Sequence, residues 1–219
     1  MPNFIVYTVP GSPYARSVLA TLEEKGVVYG VKPIKPGDQK KAPYLAMNAF
    51  GRLPALDHDG FILYESQAIL RYLDRTLPTP PLTPIDTKLA ARMDQLLNIN
   101  DWYLFRGVAD VIVAQRIILP KLFGLPSDEA LIAAAMPNAH IVFDELARFL
   151  GEAQYFGGDA VSLADLAIAP QLDFFVGLPE WGTLTDKHPN LVRWLATMNA
   201  RSSMKATTWE RVAQLANAA

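Results

Sequence analysis

The sequence predicts an α/β N-terminal domain, with elements in the order βαβ-ββα, followed by an all-α C-terminal domain. Three observations predict it. Strand-like and helix-like runs alternate over residues 1–77, four prolines crowd residues 78–86, and residues 87–219 carry helical periodicity throughout. At 219 residues and 51% hydrophobic composition, the chain is long and apolar enough for two domains, each with its own core.

Each element has a local reason. "NFIVYT" is β-branched and aromatic, which favours a strand. Residues 13–25 bring Val18, Leu19 and Leu22 onto one helical face, and Gly26 stops that helix. "YGVKPI" is a second strand, and strand-helix-strand over so short a span predicts a parallel, right-handed unit. "PALD" and "FILY" flank His58-Asp59-Gly60, where Asp-Gly suits a tight hairpin. "SQAILRYLDRTL" spaces Ile69, Leu70, Leu73 and Leu77 as an amphipathic helix. Residues 78–86, "PTPPLTPID", form a semi-rigid linker, after which Asp86 or Thr87 caps the next helix. Beyond it, Leu89, Met93, Leu96 and Leu97 make one stripe, continued by "VADVIVAQRIIL". Pro137 is placed to open a helix bearing Ile141, Val142, Leu146 and Leu150, closed by Gly151. "VSLADLAIAPQLDFF" is apolar nearly all round and predicts a buried central helix. Its start, Ser162 with Asp165 three residues on, reads as a capping box that serves folding. Pro189 opens a further helix.

Composition narrows the function classes. Net charge is −2 with both signs interspersed, and no basic stripe calls for nucleic acid. No apolar run approaches the length of a membrane span, and the N-terminus lacks the look of a signal peptide. The absence of cysteine removes thiolate catalysis and disulfides, and fits a cytoplasmic protein. His58, His140 and His188 are scattered without metal-ligand spacing, so no metal site is expected.

Four places can carry chemistry. Ser12, between Gly11 and Pro13, fits a helix N-cap, with Pro13 at the first helical position. A capping serine accepts through an oxygen lone pair, so its hydroxyl hydrogen stays available, and a helix start favours an anion. "GRLPAL" places Pro54 just before a strand, as an ordinary bend or a cis-proline that exposes the Leu53 backbone. In "YESQAI", Ser66 is a possible N-cap suited to a carboxylate, and Glu65 suits an ammonium group. Gln39, Lys40 and Lys41 lie in an irregular segment, where lysines are commonly solvated surface.

Taken in this order, the motifs are specific. The chain resembles the cytosolic glutathione S-transferases over essentially its whole length, through "VPGSPYARSVLATLEEKG", "KKAPYLAMNAFGRLPAL", "LYESQAILRYL", the proline-rich linker and "VSLADLAIAP". The spacing and "LFGLPSDEA" are most like the plant-type phi class and its bacterial relatives. The resemblance implies a thioredoxin-like glutathione-binding domain over 1–77, a helical domain over 87–219 that contributes the electrophile pocket, and a homodimer. It implies that Ser12 activates the thiol of glutathione. Gln39, in place of a commoner histidine, and Lys40 then meet the glycine carboxylate. Leu53, before a cis-Pro54, pairs with the cysteinyl unit, and Arg52 stands where glutamine is common. Glu65 and Ser66 hold the γ-glutamyl end.

Tyr7 is the rival activator, since several classes use a tyrosine near the end of this strand; Ser12 is the better match. Arg16, one turn on, either assists the thiolate or faces solvent. Tyr14, Trp102, Tyr103 and Phe105 are candidate walls for a hydrophobic electrophile. The expected activity is conjugation of glutathione in detoxification. Glutathione-dependent peroxidase, reductase or dehalogenase chemistry, or a non-catalytic scaffold, are the alternatives.

Overall fold

The protein is described by a computed structural model over residues 3–217. It divides into two compact units. One runs up to Leu82 and resumes at Asn199, and the other is Thr83–Met198.

In the first unit, β1 (Phe4–Thr8) and β2 (Tyr29–Pro33) are parallel and joined by α1 (Pro13–Glu24). A 3-10 turn at Asp38–Lys40 and the short α2 (Ala42–Leu45) occupy the irregular stretch. β3 (Ala55–His58) and β4 (Phe61–Tyr64) make an antiparallel hairpin, and α3 (Ser66–Thr76) follows. The sheet order is β2-β1-β3-β4. Asp59 and Gly60 turn the hairpin with φ of 52° and 88°, the left-handed pair that a primed two-residue turn needs.

Strand alternation gives the sheet two covered faces. On one, Val18, Leu19 and Leu22 of α1 and Ile69, Leu70 and Leu73 of α3 are fully buried, each worth about 1.5–3 kcal/mol of burial. On the other, Tyr7, Tyr44 and Ala55 form a cluster with Ile5, Leu53 and Tyr64 packed against it.

The second unit starts with α4 (Thr87–Ile99), capped by Asp86, whose Oδ1 accepts from the Lys88 and Leu89 amides at 3.0 and 2.9 Å. Wide, π-type turns follow over Asn100–Ala109, interrupted at Arg106 and Gly107, where φ at Gly107 is 77°. α5 (Asp110–Val113) leads into a second wide stretch, Ala114–Phe123. The remaining helices are α6 (Glu129–Leu150), α7 (Leu163–Asp173), α8 (Pro179–Thr185) and α9 (Pro189–Ala200). α7 is buried from Leu163 to Leu172, as its all-round apolar pattern predicts.

Two expectations need correction. Pro137 does not open a helix but lies inside α6, which starts earlier, at Glu129, with Asp128 as its N-cap. The Asp128 carboxylate accepts from the Ala130 and Leu131 amides at 2.9 and 3.2 Å. That cap, with a buried stripe of Ile132, Ala135, Ala139 and Val142 running across the proline, outweighs the one lost backbone bond.

The second correction concerns the chain end. The sequence assigns all of 87–219 to the helical domain, yet α10 (Ser202–Ala206) and α11 (Trp209–Asn217) belong to the first unit. α10 packs on α1 and α11 on β2. Arg201 Nε and Nη2 each donate to the Glu24 carboxylate at 2.7 Å, and Ser203 Oγ donates to it at 2.5 Å. The linker is also fastened. Buried Lys25 donates to Asp74 and to the Pro80 carbonyl, both at 2.6 Å, and Asp74 accepts from the Leu82 amide at 2.9 Å. No helix among the described residues is long and apolar enough to cross a membrane.

Candidate functional site

Strand register assembles the site. Tyr7 pairs with Ala55 and Ala55 with Tyr64, while Thr8 pairs with Pro33. The end of β1, the end of β2, the start of β3 and the end of β4 therefore lie at one end of the sheet. The Gly11-Ser12 corner, the segment holding Gln39 and Lys40, the Leu53-Pro54 approach and the Glu65-Ser66 junction all lead from that end.

Ser12 is the N-cap of α1, in extended backbone at φ −77° and ψ 116°. Its Oγ accepts from the Ala15 amide at 3.2 Å and its carbonyl from the Arg16 amide at 3.0 Å. Among the described residues, its hydroxyl hydrogen has no acceptor. Gly11 before it has φ of 84°, a backbone that favours glycine. Arg16 is not simply turned to solvent: its Nη2 donates to the Met204 carbonyl at 3.2 Å.

The turn before β3 is tightly built. The Leu53-Pro54 peptide is cis, and the Leu53 amide and carbonyl have no hydrogen-bond partner among the described residues. Tyr44 Oη and Asn48 Nδ2 both donate to the Arg52 carbonyl, at 2.7 and 3.0 Å, while Asn48 Oδ1 accepts from the Phe50 amide. Burial pushes the Tyr44 hydroxyl up to about 12, so it stays a donor at neutral pH. The Arg52 side chain itself is exposed. Gly51 (φ 55°) sits so close to the preceding segment that a β-carbon there would lie 2.6 Å from the Gln39 carbonyl oxygen. Lys40 Nζ reaches over to the Phe50 carbonyl at 2.9 Å. Gln39 turns back, its Oε1 accepting from the Gly37 amide at 2.8 Å.

At the last junction the cap is shifted by one residue. Ser66 is the first helical residue of α3, and Glu65 is its N-cap, with φ of 70° and ψ of 110°. The strand ends in that left-handed conformation, which a non-glycine residue adopts at a cost of about 1–3 kcal/mol. Glu65 is exposed, and its carboxylate has no ion-pair partner among the described residues. The first-turn amides of α3 open beside it, with no carbonyl of their own helix to bond.

Tyr7 is 8% exposed, its ring packed with Tyr44 and Ala55 and its face 5.3 Å from Lys32 Nζ. Tyr14 is half-buried on α1 in the first unit. Trp102 and Tyr103, on the wide turns of the second unit, are 57% and 62% exposed, and Phe105 is half-buried. The Arg106 guanidinium stacks over Trp102 at 4.7 Å.

The sequence reading overlooked Tyr44, Asn48 and Gly51 as builders of the turn. The signal was present in "NAFG", since an asparagine two residues before a turn amide is a common side-chain-to-backbone lock.

Residues 6–81 match the family model described as "Glutathione S-transferase, N-terminal domain", and residues 110–202 match "Glutathione S-transferase, C-terminal domain". Among curated relatives, glutathione S-transferase hmp2 of Hypomyces subiculosus is 35% identical over 89% of this chain and 93% of its own. Glutathione S-transferase F7 of Arabidopsis thaliana is 29% identical over 94% and 99%. Among solved structures, poplar glutathione transferase F1 superposes with a TM-score of 0.82 at 30% identity, covering 100% of both chains. The relatives thus include plant phi-class transferases.

Proposed function

Because the chain belongs to the glutathione S-transferase family, and is a glutathione transferase, we propose that Ser12 is the residue that activates the thiol. The observation that carries this reading is the Ser12 hydroxyl, whose oxygen caps α1 while its hydrogen has no acceptor among the described residues. That hydrogen donates to the sulfur of glutathione and stabilises the thiolate. Tyr7 is the weaker choice, because its ring is core packing against Tyr44 and Ala55.

Magnitudes support the assignment. A free thiol has a pKa of about 8.5, and lowering it two units takes roughly 2.7 kcal/mol. A hydrogen bond to a charged group supplies about 1.5–3 kcal/mol, and a helix start about 0.3–1 kcal/mol more. Ser12 at the head of α1 combines both.

The rest of the sheet end holds the tripeptide. The unpaired Leu53 amide and carbonyl suit the cysteinyl backbone in an antiparallel pairing. Glu65 takes the γ-glutamyl ammonium, and Ser66 with the first-turn amides of α3 takes its carboxylate. Lys40, with Gln39 and Arg52 near the same turn, meets the glycine carboxylate, after Lys40 releases the Phe50 carbonyl. The thiol proton leaves to solvent. The sulfur electron pair then forms a C–S bond to an electrophilic carbon, and the leaving group departs with its own pair, or the pair of a polarised double bond shifts away. Conjugation of hydrophobic electrophiles in a cytoplasmic detoxifying role is the reading we adopt.

A homodimer belongs to the same proposal. Phe50 is 63% exposed at the site turn, its ring 6.0 Å from that of Tyr64, and is an aromatic that a subunit interface would cover. Sedimentation of Phe50→Ala against the parent checks it, with a shift toward monomer expected.

The decisive experiment is Ser12→Ala, assayed with glutathione and an aryl halide at about pH 6.5, two units below the ordinary thiol pKa. Thiolate absorbance of the glutathione complex is followed over pH. Turnover is expected to fall, and the bound thiol pKa to rise. Full turnover in the variant overturns the assignment.

A further inference from the structure

The C-terminal segment meets α1 at two levels and the corner before it at a third, all within the first unit. At the far end, Arg201 and Ser203 hold Glu24. In the first turn, the Met204 carbonyl accepts from Arg16. At the corner itself, the indole of Trp209 lies against Gly11, close enough that a β-carbon on Gly11 would stand 2.8 Å from three of its ring atoms, Cδ2, Cε3 and Cζ3. Trp209 is the first residue of α11, and Val212, one turn on, is 4% exposed where that helix packs toward β2. The indole therefore has a fixed backing.

We propose that Trp209 is a positioning residue for the transferase reaction: its ring pins Gly11, and so sets the direction in which the Ser12 hydroxyl points. The proposal rests on the assignment of Ser12 as the thiol-activating residue. The physical need for such a pin is specific. Gly11 has φ of 84°, a conformation open to glycine but one of many that glycine visits. A hydroxyl hydrogen bond to sulfur loses strength steeply with misalignment. A corner that pivots on a glycine is held to one orientation by an external wall, and Trp209 is that wall. Its position also means that a side chain at Gly11 would have to displace the indole, separately from the backbone angle.

The test measures the pKa of the bound glutathione thiol, and kcat and KM for glutathione, in the full-length parent, Ser12→Ala, Trp209→Ala, Trp209→Phe and the double variant Ser12→Ala with Trp209→Ala. Circular dichroism and thermal unfolding accompany each. Trp209→Ala is expected to raise the thiol pKa and to lower kcat/KM at about pH 6.5 on the order of tenfold, mostly in kcat. Trp209→Phe, which keeps a ring on Gly11, is expected to recover most of the loss. In the Ser12→Ala background, Trp209→Ala is expected to add nothing, because the ring acts through that hydroxyl. A parent-like thiol pKa in a folded Trp209→Ala, or a shift of equal size with and without Ser12, overturns the positioning role while leaving the Ser12 assignment standing. Should Trp209→Ala not fold, a Trp209→Phe with the full loss of kcat overturns it. A Ser12→Ala with unchanged thiol pKa overturns the underlying assignment instead.

Discussion

Among the described residues, two serines are helix N-caps, and their hydroxyls meet different surroundings. Ser12 heads α1 and Ser162 heads α7. Both are N-caps in extended backbone, and both precede apolar helices. The residue three positions on differs: Ala15 after Ser12, Asp165 after Ser162. Asp165 draws in every donor near it. Its carboxylate accepts from the Phe156 amide, the Ser162 amide, Ser162 Oγ and Trp194 Nε1, all between 2.7 and 2.8 Å. Burial pushes that carboxyl up, and the four donated bonds pull it back. The Ser162 hydroxyl hydrogen is committed to this knot, which is closed to solvent. Ala15 offers no acceptor, so the Ser12 hydrogen remains available in a half-buried corner. One side chain at the third helical position separates a cap whose hydroxyl hydrogen is committed from one whose hydrogen has no acceptor among the described residues.

The comparison can be broken by removing each part in turn. Asp165→Ala should have the largest effect, leaving buried donors on Phe156, Ser162 and Trp194 without partners. A loss of about 3–5 kcal/mol in urea unfolding is expected, and a loss below 1 kcal/mol would show that the knot relaxes. Ser12→Ala comes next: a fall in kcat/KM of about 10²-fold, roughly 2.7 kcal/mol at the transition state. Its stability cost should be only about 1 kcal/mol, the ordinary value of a cap. Ser162→Ala is the mirror experiment. It should destabilise by about 1–2 kcal/mol and leave activity at parent level, and a catalytic defect in a folded Ser162→Ala would dissolve the distinction between the caps.

The smallest effect depends on pH and probes the brace along α1. Burial raises the Glu24 carboxyl, but the bonds from Arg201 and Ser203 outweigh it and hold the group below 4.5. A carboxyl depressed in the folded state contributes stability that is fully present above its unfolded pKa and lost as pH falls through the folded one. Glu24→Gln should therefore lower the unfolding midpoint at neutral pH, and the gap should close as pH drops below about 4.5. A gap that persists unchanged in acid would assign the brace to packing.

Much of this was legible from local pattern. Alternation and helical spacing placed all four strands, α1, α3 and α7, and the Asp59-Gly60 hairpin emerged from two residues alone. The Ser12 cap needed only the Gly-Ser-Pro order. Misreadings arose where two local signals competed. Pro137 looked like a helix start because proline favours that place, yet Asp128 capped earlier and a continuous buried stripe carried the helix through. Ser66 looked like a cap, but Glu65 took the left-handed turn and Ser66 became the first helical residue. Nothing in either pentapeptide could rank those choices, because packing of the whole helix face sets the outcome.

The sequence by itself determined the strand alternation, the Asp59-Gly60 turn and the Ser12 cap, because those preferences act within four residues of chain. It also put Ser12 and the Leu53-Pro54 pair at the ends of their elements. Only the tertiary structure decided that these turns share one end of a sheet, through the pairing of Tyr7 with Ala55 and Ala55 with Tyr64. Only it returned α10 to α1 and α11 to β2, and set the indole of Trp209 against Gly11 across nearly the full length of the chain. Contacts between such distant residues depend on the shape and burial of surfaces that neither segment specifies alone.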